Sequence, residues 1–279
     1  MSIVENNIPN VVYHYCSVDT MMKIFDTKSI IGSIHTSMND FSDCSWWFQV
    51  LIQEANIIRN SKNSQLLDDF LNHIYININD YYITSFSKSN DILSQWRSYA
   101  DDGKGVCIGF YSERICKNYD IPAFNELSNK GWVEINYIED EQRKLAVEVL
   151  TSITKSDPSN YVTTNFTRFL LACKNPAFKE EDEVRYVEVL DSRTLCNPEC
   201  LGYSTLYQGN SFQYRYKPNI GIVAFRLQNV NNYESDNFKI NSITFGPKCF
   251  MDKTSLKLFL NKYRVNSDVI LTQSKATYR

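Results

Sequence analysis

Apolar and polar positions change period repeatedly along this chain, and each change marks an element. The run Val11-Val12-Tyr13-His14-Tyr15 is β-branched and aromatic and predicts a short strand. Ser17-Val18-Asp19-Thr20 then reads as a helix start, with Ser17 or Asp19 able to cap free backbone N–H groups. Met21, Met22, Ile24 and Phe25 give that helix its apolar face, and Gly32 follows its end. Helical spacing returns over residues 45–58 through Trp46, Trp47, Val50, Leu51, Ala55 and Ile58. A polar break at 60–64 separates this from another helix at 66–74.

Residues 81–87 have strand composition and lead into a helix at 91–99, where Ile92, Trp96 and Tyr99 share one face. Asp101-Asp102-Gly103-Lys104-Gly105 reads as a turn before a strand at 106–110. Further strands are expected at 132–138, 184–190, 220–227, 240–245 and 269–272, and further helices at 139–153, 162–174 and 254–263. The Cys-, Tyr- and Asn-rich stretch 191–219 reads as a loop or insertion. Strands and helices mix without a βαβ rhythm. The expected class is therefore α+β, a mixed and largely antiparallel sheet core with flanking helices, in a single domain spanning 1–279.

Composition narrows the possibilities. A chain of 279 residues with 43% hydrophobic and 14% aromatic residues can bury a core and is not a disordered one. Its net charge of −3 gives no overall pull toward nucleic acid or an anionic membrane, although a local basic groove stays open. The N-terminal residues lack the basic and apolar regions of a signal peptide, and no stretch reaches membrane-spanning length, so a cytoplasmic protein is expected. The eight cysteines are then expected as thiols. The close pair Cys196 and Cys200 has no second pair or histidine beside it, and no metal site is expected.

The densest chemistry lies in Phe178-Lys179-Glu180-Glu181-Asp182-Glu183-Val184-Arg185-Tyr186. A strand beginning near Glu181 would turn Glu181, Glu183 and Arg185 to one face. Two acids and a fixed cation there can carry chemistry, but the same alternation describes a wet strand face, and the segment alone leaves both readings open. No Gly-x-Gly-x-x-Gly fingerprint, phosphate-binding P-loop, nucleophile elbow or kinase signature is present. Gly103-Lys104-Gly105 precedes a strand rather than a helix and reads as a turn.

Several spaced segments, taken together, resemble one bacterial domain-of-unknown-function family, number twenty-nine seventy-one. They are Tyr13-His14-Tyr15-Cys16-Ser17; Ser85-Phe86-Ser87 with Trp96-x-x-Tyr99 and Gly105 to Phe110; Phe178 to Glu181-x-Glu183-x-Arg185; Ile243-x-Phe245-Gly246-Pro247; and Ser274-x-x-x-Tyr278-Arg279. The chain departs from the family pattern in having Cys16 where His-Tyr-Thr is usual. It also has Asn39-Asp40-Phe41-Ser42-Asp43 where Asn-Asp-Pro-x-Glu is usual, which leaves a role for Asp43 open.

That family pattern in turn resembles mono-ADP-ribosyltransferases. The resemblance implies an ADP-ribosyltransferase-like sheet, NAD as co-substrate, and a macromolecular acceptor: RNA, DNA or protein. It also implies a toxin or anti-phage setting, with an antitoxin or sensor partner. Glu183 would be the catalytic carboxylate, Glu181 a second acid toward the acceptor, and His14 a hydrogen-bonding partner of a ribose hydroxyl. Tyr15, Ser85, Ser87, Trp96, Tyr99 and Arg185 would complete the NAD site, in a cleft between the His14 strand and the Glu183 strand. The chemistry suits such residues, because breaking the N-glycosidic bond of NAD develops positive charge on the ribose, which a fixed carboxylate stabilises. Two alternatives are an NAD glycohydrolase, with water as acceptor, and a non-catalytic nucleotide- or partner-binding module.

Overall fold

A computed structural model describes residues 8–35, 45–76, 80–115, 130–155, 166–190, 213–217, 221–230 and 238–277. In chain order these form β1 (Val11–Cys16), α1 (Val18–Thr27), β2 (Ser29–Ile34), α2 (Trp46–Ile58), α3 (Ser64–Ile76), β3 (Asp80–Ser87) and α4 (Leu93–Tyr99). Then follow β4 (Val106–Tyr111), α5 (Ser112–Ile115), β5 (Lys130–Glu134), α6 (Glu139–Lys155), α7 (Phe166–Ala172) and β6 (Glu183–Leu190). The last elements are β7 (Gln213–Lys217), β8 (Gly221–Asn229), β9 (Ser242–Phe245), α8 (Lys253–Lys262) and β10 (Ile270–Gln273). The class is mixed, with an open and mostly antiparallel sheet, ten-stranded among the described residues, whose β9 and β10 run parallel.

β3 is the trunk on which the sheet forks. Its whole length pairs with β6, from Asp80 opposite Leu190 to Ser87 opposite Glu183. On its other edge β2 pairs at Tyr82 and Ile83, and β1 pairs at Ser87. One branch therefore runs β1-β4-β9-β10, another β2-β8-β7, and β5 lies outside β6.

The main core covers one face of this sheet. Val12, Cys16, Phe86, Ile108, Phe110, Trp132, Val184 and Tyr186 pack there against Met21, Ile24 and Phe25 of α1 and Leu256 and Leu260 of α8. α1 is capped by Ser17, whose Oγ accepts from Thr20 N, and it ends at Thr27 with Lys28 left-handed. Gly32, read from sequence as the residue after the helix, lies inside β2 instead. That strand escapes the pattern because Ser29, Gly32 and Ser33 dilute its apolar alternation.

A second core joins α2, α3, α6 and α7 through Trp47, Leu51, Leu67, Leu150 and Leu170. The buried amide of Gln142 ties it to the segment that follows β5. The side-chain Oε1 accepts from Trp46 Nε1 at 2.8 Å, and Nε2 donates to the carbonyls of Asn136 and Lys174 at 2.7 and 2.9 Å.

Other boundaries shift for identifiable reasons. The strand expected at 132–138 ends at Glu134, because Asn136 bridges to Cys173 instead, and its Oδ1 accepts from Ile138 N at 2.8 Å in a turn that leads into α6. Within the expected 191–219 loop, residues 213–217 form β7, while 191–212 and 218–219 lie outside the described residues, as do Asp43, Cys196 and Cys200. The 101–105 segment is a turn, as its composition suggests. Gly103, Lys104 and Gly105 donate their N–H groups to Ala100 O and Asp101 O, which leaves none of the three for a phosphate. A Cβ on Gly105 would stand 2.2 Å from Cys16 O, so only glycine allows the close backbone approach there.

Candidate functional site

Four charged side chains converge at the start of β6. Arg185 reaches back along its own strand to Glu183: its Nε donates to Oε1 at 2.8 Å and one terminal nitrogen to Oε2 at 3.1 Å. The other terminal nitrogen donates to Leu171 O at 3.3 Å. Lys174, two residues beyond α7, donates to Glu183 Oε2 at 3.0 Å and to Glu181 Oε2 at 2.5 Å. Tyr99 of α4 donates its hydroxyl to Glu181 Oε1 at 3.1 Å. Glu183, Arg185 and Lys174 are buried, at 4%, 0% and 4% exposure, whereas Glu181 is half-buried and Tyr99 exposed.

The local backbone explains the convergence. The strand does not begin near Glu181. Residues Pro176–Glu181 form a 3-10 helix, Asp182 adopts a left-handed conformation at φ 47°, and β6 starts at Glu183. Glu181 and Glu183 thus do not share a strand face by alternation; the reversal at Asp182 swings both carboxylates onto one ammonium. Asp182 is held in turn, since its carbonyl accepts from Lys88 N at 2.8 Å and its carboxylate from Ser89 Oγ at 3.2 Å.

Burial raises the Glu183 pKa, but the Arg185 and Lys174 charges, with hydrogen bonds from Arg185 and the Ser85 hydroxyl, outweigh it and hold the carboxyl at about 2. It is ionised at any ordinary pH. Glu183 N donates to the Tyr137 hydroxyl at 3.2 Å, so a second phenol flanks the acid pair opposite Tyr99. Burial pushes both phenols well above their usual range, and the Glu181 and Glu183 charges add to this. The Phe178 ring lies under Lys174 Nζ at 5.0 Å.

The sequence-derived residues divide into two groups. Cross-strand register puts Ser87 beside Glu183 and Ser85 beside Arg185, so these four share one face of the sheet, with Tyr99 joining through Glu181. His14 lies on the other face. Its ring meets Phe86 edge-on at 5.8 Å, and its Nδ1 lies 3.3 Å from Ser85 O, where only donation by the ring can make the bond. Burial lowers its pKa, so it is a neutral imidazole. β3 stands between β1 and β6, pairing with β1 at Ser87 and with β6 along its whole length.

Tyr15 and Trp96 form a separate enclosed cluster with Cys107 and Ala100, their rings 4.8 Å apart. Their polar ends are committed. Tyr15 donates to Ser89 O and accepts from Ile92 N, both at 2.9 Å, and Trp96 Nε1 donates to Asp91 at 2.7 Å. Tyr99, expected on the same helix face as Trp96, is instead 41% exposed.

Sequence reasoning missed Lys174 and Tyr137. The sole hint of Lys174 is a cation directly after the apolar run Phe169-Leu170-Leu171-Ala172-Cys173, where a lysine is also an ordinary helix-end residue. Among the described residues no cluster of His, Cys, Asp and Glu could hold a metal ion, the described cysteines are free thiols, and no helix is long and apolar enough to cross a membrane.

Residues 95–186 match the family model described as Protein of unknown function (DUF2971). That stretch, about a third of the chain, runs from α4 into β6 and contains Trp96, Tyr99, Lys174, Glu181, Glu183 and Arg185 but not His14, Ser85 or Ser87. No curated protein and no solved structure matched the chain.

Proposed function

We propose that this chain is an NAD-consuming mono-ADP-ribosyltransferase acting on a macromolecular acceptor, with the acid pair Glu181 and Glu183 at its reacting edge. The observation that carries the reading is the geometry of that pair. Two carboxylates share one buried ammonium, one of them locked ionised and the other half-buried beside an exposed tyrosine.

In the proposed reaction the bond between nicotinamide nitrogen and ribose C1′ breaks, and nicotinamide leaves with the electron pair. The acceptor's nucleophilic atom then bonds to C1′ and gives up its proton. Glu181 is the carboxylate placed to face the cationic ribose, because Glu183 is closed in by Arg185 and Lys174. Glu183 and Arg185 fix the floor of the site, and Ser85 holds Glu183. Tyr99 supplies a flat, partly exposed wall for the nicotinamide ring. His14 supports β3 from the opposite face, and Tyr15, Ser87 and Trp96 hold the strands and the 88–92 loop in place.

One observation favours a second reading. Glu183 has both oxygens paired to cations and is closed to solvent, the arrangement of a structural ionic lock. On that reading the chain is a non-catalytic binding module.

The test is nicotinamide release from NAD by wild type and by Glu181→Gln, each checked for folding by circular dichroism. Release by wild type and its loss in a folded Glu181→Gln variant is the expected result. No release and no NAD-induced thermal shift at millimolar NAD would leave the binding-module reading in its place. Labelled NAD incubated with lysate, then digested separately by protease and nuclease, identifies the acceptor class.

A further inference from the structure

We propose that Lys174 is the positioning residue of the acid pair, holding Glu181 and Glu183 together as two carboxylates and so setting the acid limit of the site. The proposal rests on the reading of that pair as the reacting edge, and it concerns a residue outside the strands that carry the acids.

The geometry is specific. Lys174 comes from the end of α7, a helix of the second core, and is fixed there by backbone bonds: its N–H donates to Asn136 O at 3.2 Å and its carbonyl accepts from Gln142 Nε2 at 2.9 Å. Its ammonium is thereby carried into the sheet layer by a part of the fold that neither glutamate belongs to. One oxygen of each glutamate then lies within direct reach of that single ammonium. Two carboxylates brought so close repel, and without a cation between them one takes up a proton at a pH well above its ordinary value. Arg185 acts on Glu183, which it holds through Nε and one terminal nitrogen while the other bonds the Leu171 carbonyl, whereas Lys174 bridges the two acids.

Beyond Lys174 and Arg185, the described groups shown beside the pair are neutral. From α4 comes the Tyr99 phenol, from the segment after β5 the Tyr137 phenol, from β3 the Ser85 hydroxyl, and beside Arg185 the Cys173 thiol. Both phenols and the thiol are held neutral by burial, their pKa values raised. Lys174 is thus the cation that bridges the two carboxylates, beside Arg185, which bonds Glu183 and lowers its pKa most. It touches neither ribose nor acceptor in this account; it acts through the carboxylates.

The test compares wild type with Lys174→Met, which keeps the length of the stem, and Lys174→Arg, which keeps the charge. The first readout is the acid limb of the pH profile for nicotinamide release. It is expected to move upward by at least one pH unit in Lys174→Met, with kcat falling more than KM changes, and to return most of the way in Lys174→Arg. The second readout needs no activity: carbon-13 NMR titration of labelled glutamate carboxyls, where Lys174→Met is expected to bring one carboxyl into a higher titration range. Should Lys174→Met not fold, Lys174→Gln takes its place.

An unchanged acid limb and an unchanged glutamate titration in a folded Lys174→Met or Lys174→Gln variant would overturn the proposal. So would a Lys174→Arg variant displaced as far as Lys174→Met. If wild type releases no nicotinamide, the reading of the site as an enzyme falls, and the titration alone then decides the role of Lys174.

Discussion

The paired strands β3 and β6 build two faces from one alternation, and the two faces solve burial in opposite ways. On one, Phe86, Val184 and Tyr186 pack with Trp132 of β5, the Phe86 and Trp132 rings 5.4 Å apart and those of Trp132 and Tyr186 5.6 Å apart. On the other lie Ser85, Ser87, Glu183 and Arg185, with Lys174 bonded to Glu183. Trp132 and Arg185 are equally sealed, both at 0% exposure. Burial on the apolar face is stabilising side chain by side chain. Burial on the charged face is tolerable only as a set, because each ion is desolvated and its cost is offset only by its partners.

That difference can be tested by removing one member at a time and then two. Arg185→Met alone is expected to cost about 3–5 kcal/mol in denaturant unfolding, because Glu183 loses its bidentate partner inside the protein. Adding Glu183→Leu to it should recover most of that loss, since similar apolar replacements of buried ion pairs are often neutral or better. A double variant no more stable than Arg185→Met alone would mean that the two faces do not differ in this way.

On the apolar face, Trp132→Ala is expected to cost about 3–5 kcal/mol as well, and here a second truncation, Phe86→Ala, should deepen the loss rather than relieve it. Acid sharpens the same contrast. The folded pKa of Glu183 lies below its unfolded value, so its contribution is complete above the ordinary carboxylate range. It is lost as pH falls toward about 2. Wild type should therefore lose stability over that window more steeply than the Arg185→Met, Glu183→Leu double variant, measured by unfolding at a series of pH values.

Smaller effects belong to the edges. Ser17→Ala, which removes the cap of α1, and Asp252→Ala, which removes the Ser255 N–H acceptor at α8, are each expected to cost about 1 kcal/mol. Lys248→Ala breaks an exposed pair with Asp102 and should change stability by about 0–1 kcal/mol.

Sequence pattern made the apolar face readable, because a β-branched and aromatic period of two has few other meanings. It placed most strands and helices within a few residues, and the largely antiparallel, mixed architecture followed from the lack of a βαβ rhythm. The charged face was ambiguous for a physical reason. Alternating Glu and Arg look the same whether water or Lys174 lies opposite, and Lys174 comes from another layer. The reversal at Asp182 was equally hidden, since a left-handed aspartate leaves no mark in hydrophobic period. His14 failed to join Glu183 because parity decides a strand's face: in the β1-β3-β6 register Tyr13, not His14, is aligned with Ser87 and Glu183.

The fork at β3 also bears on how the chain reaches this state. Its partners on one edge, β1 and β2, precede it, but its full-length partner β6 ends at Leu190, far downstream of Ser87. At a synthesis rate of roughly 5–20 residues per second, β3 spends on the order of 5–20 s with that long edge unpaired after it is made. Closing it requires contacts across a large sequence separation, the kind that slows folding. The strand that organises the finished sheet thus leaves the ribosome with its fully pairing edge still open, which makes that edge an expected point of capture by a chaperone.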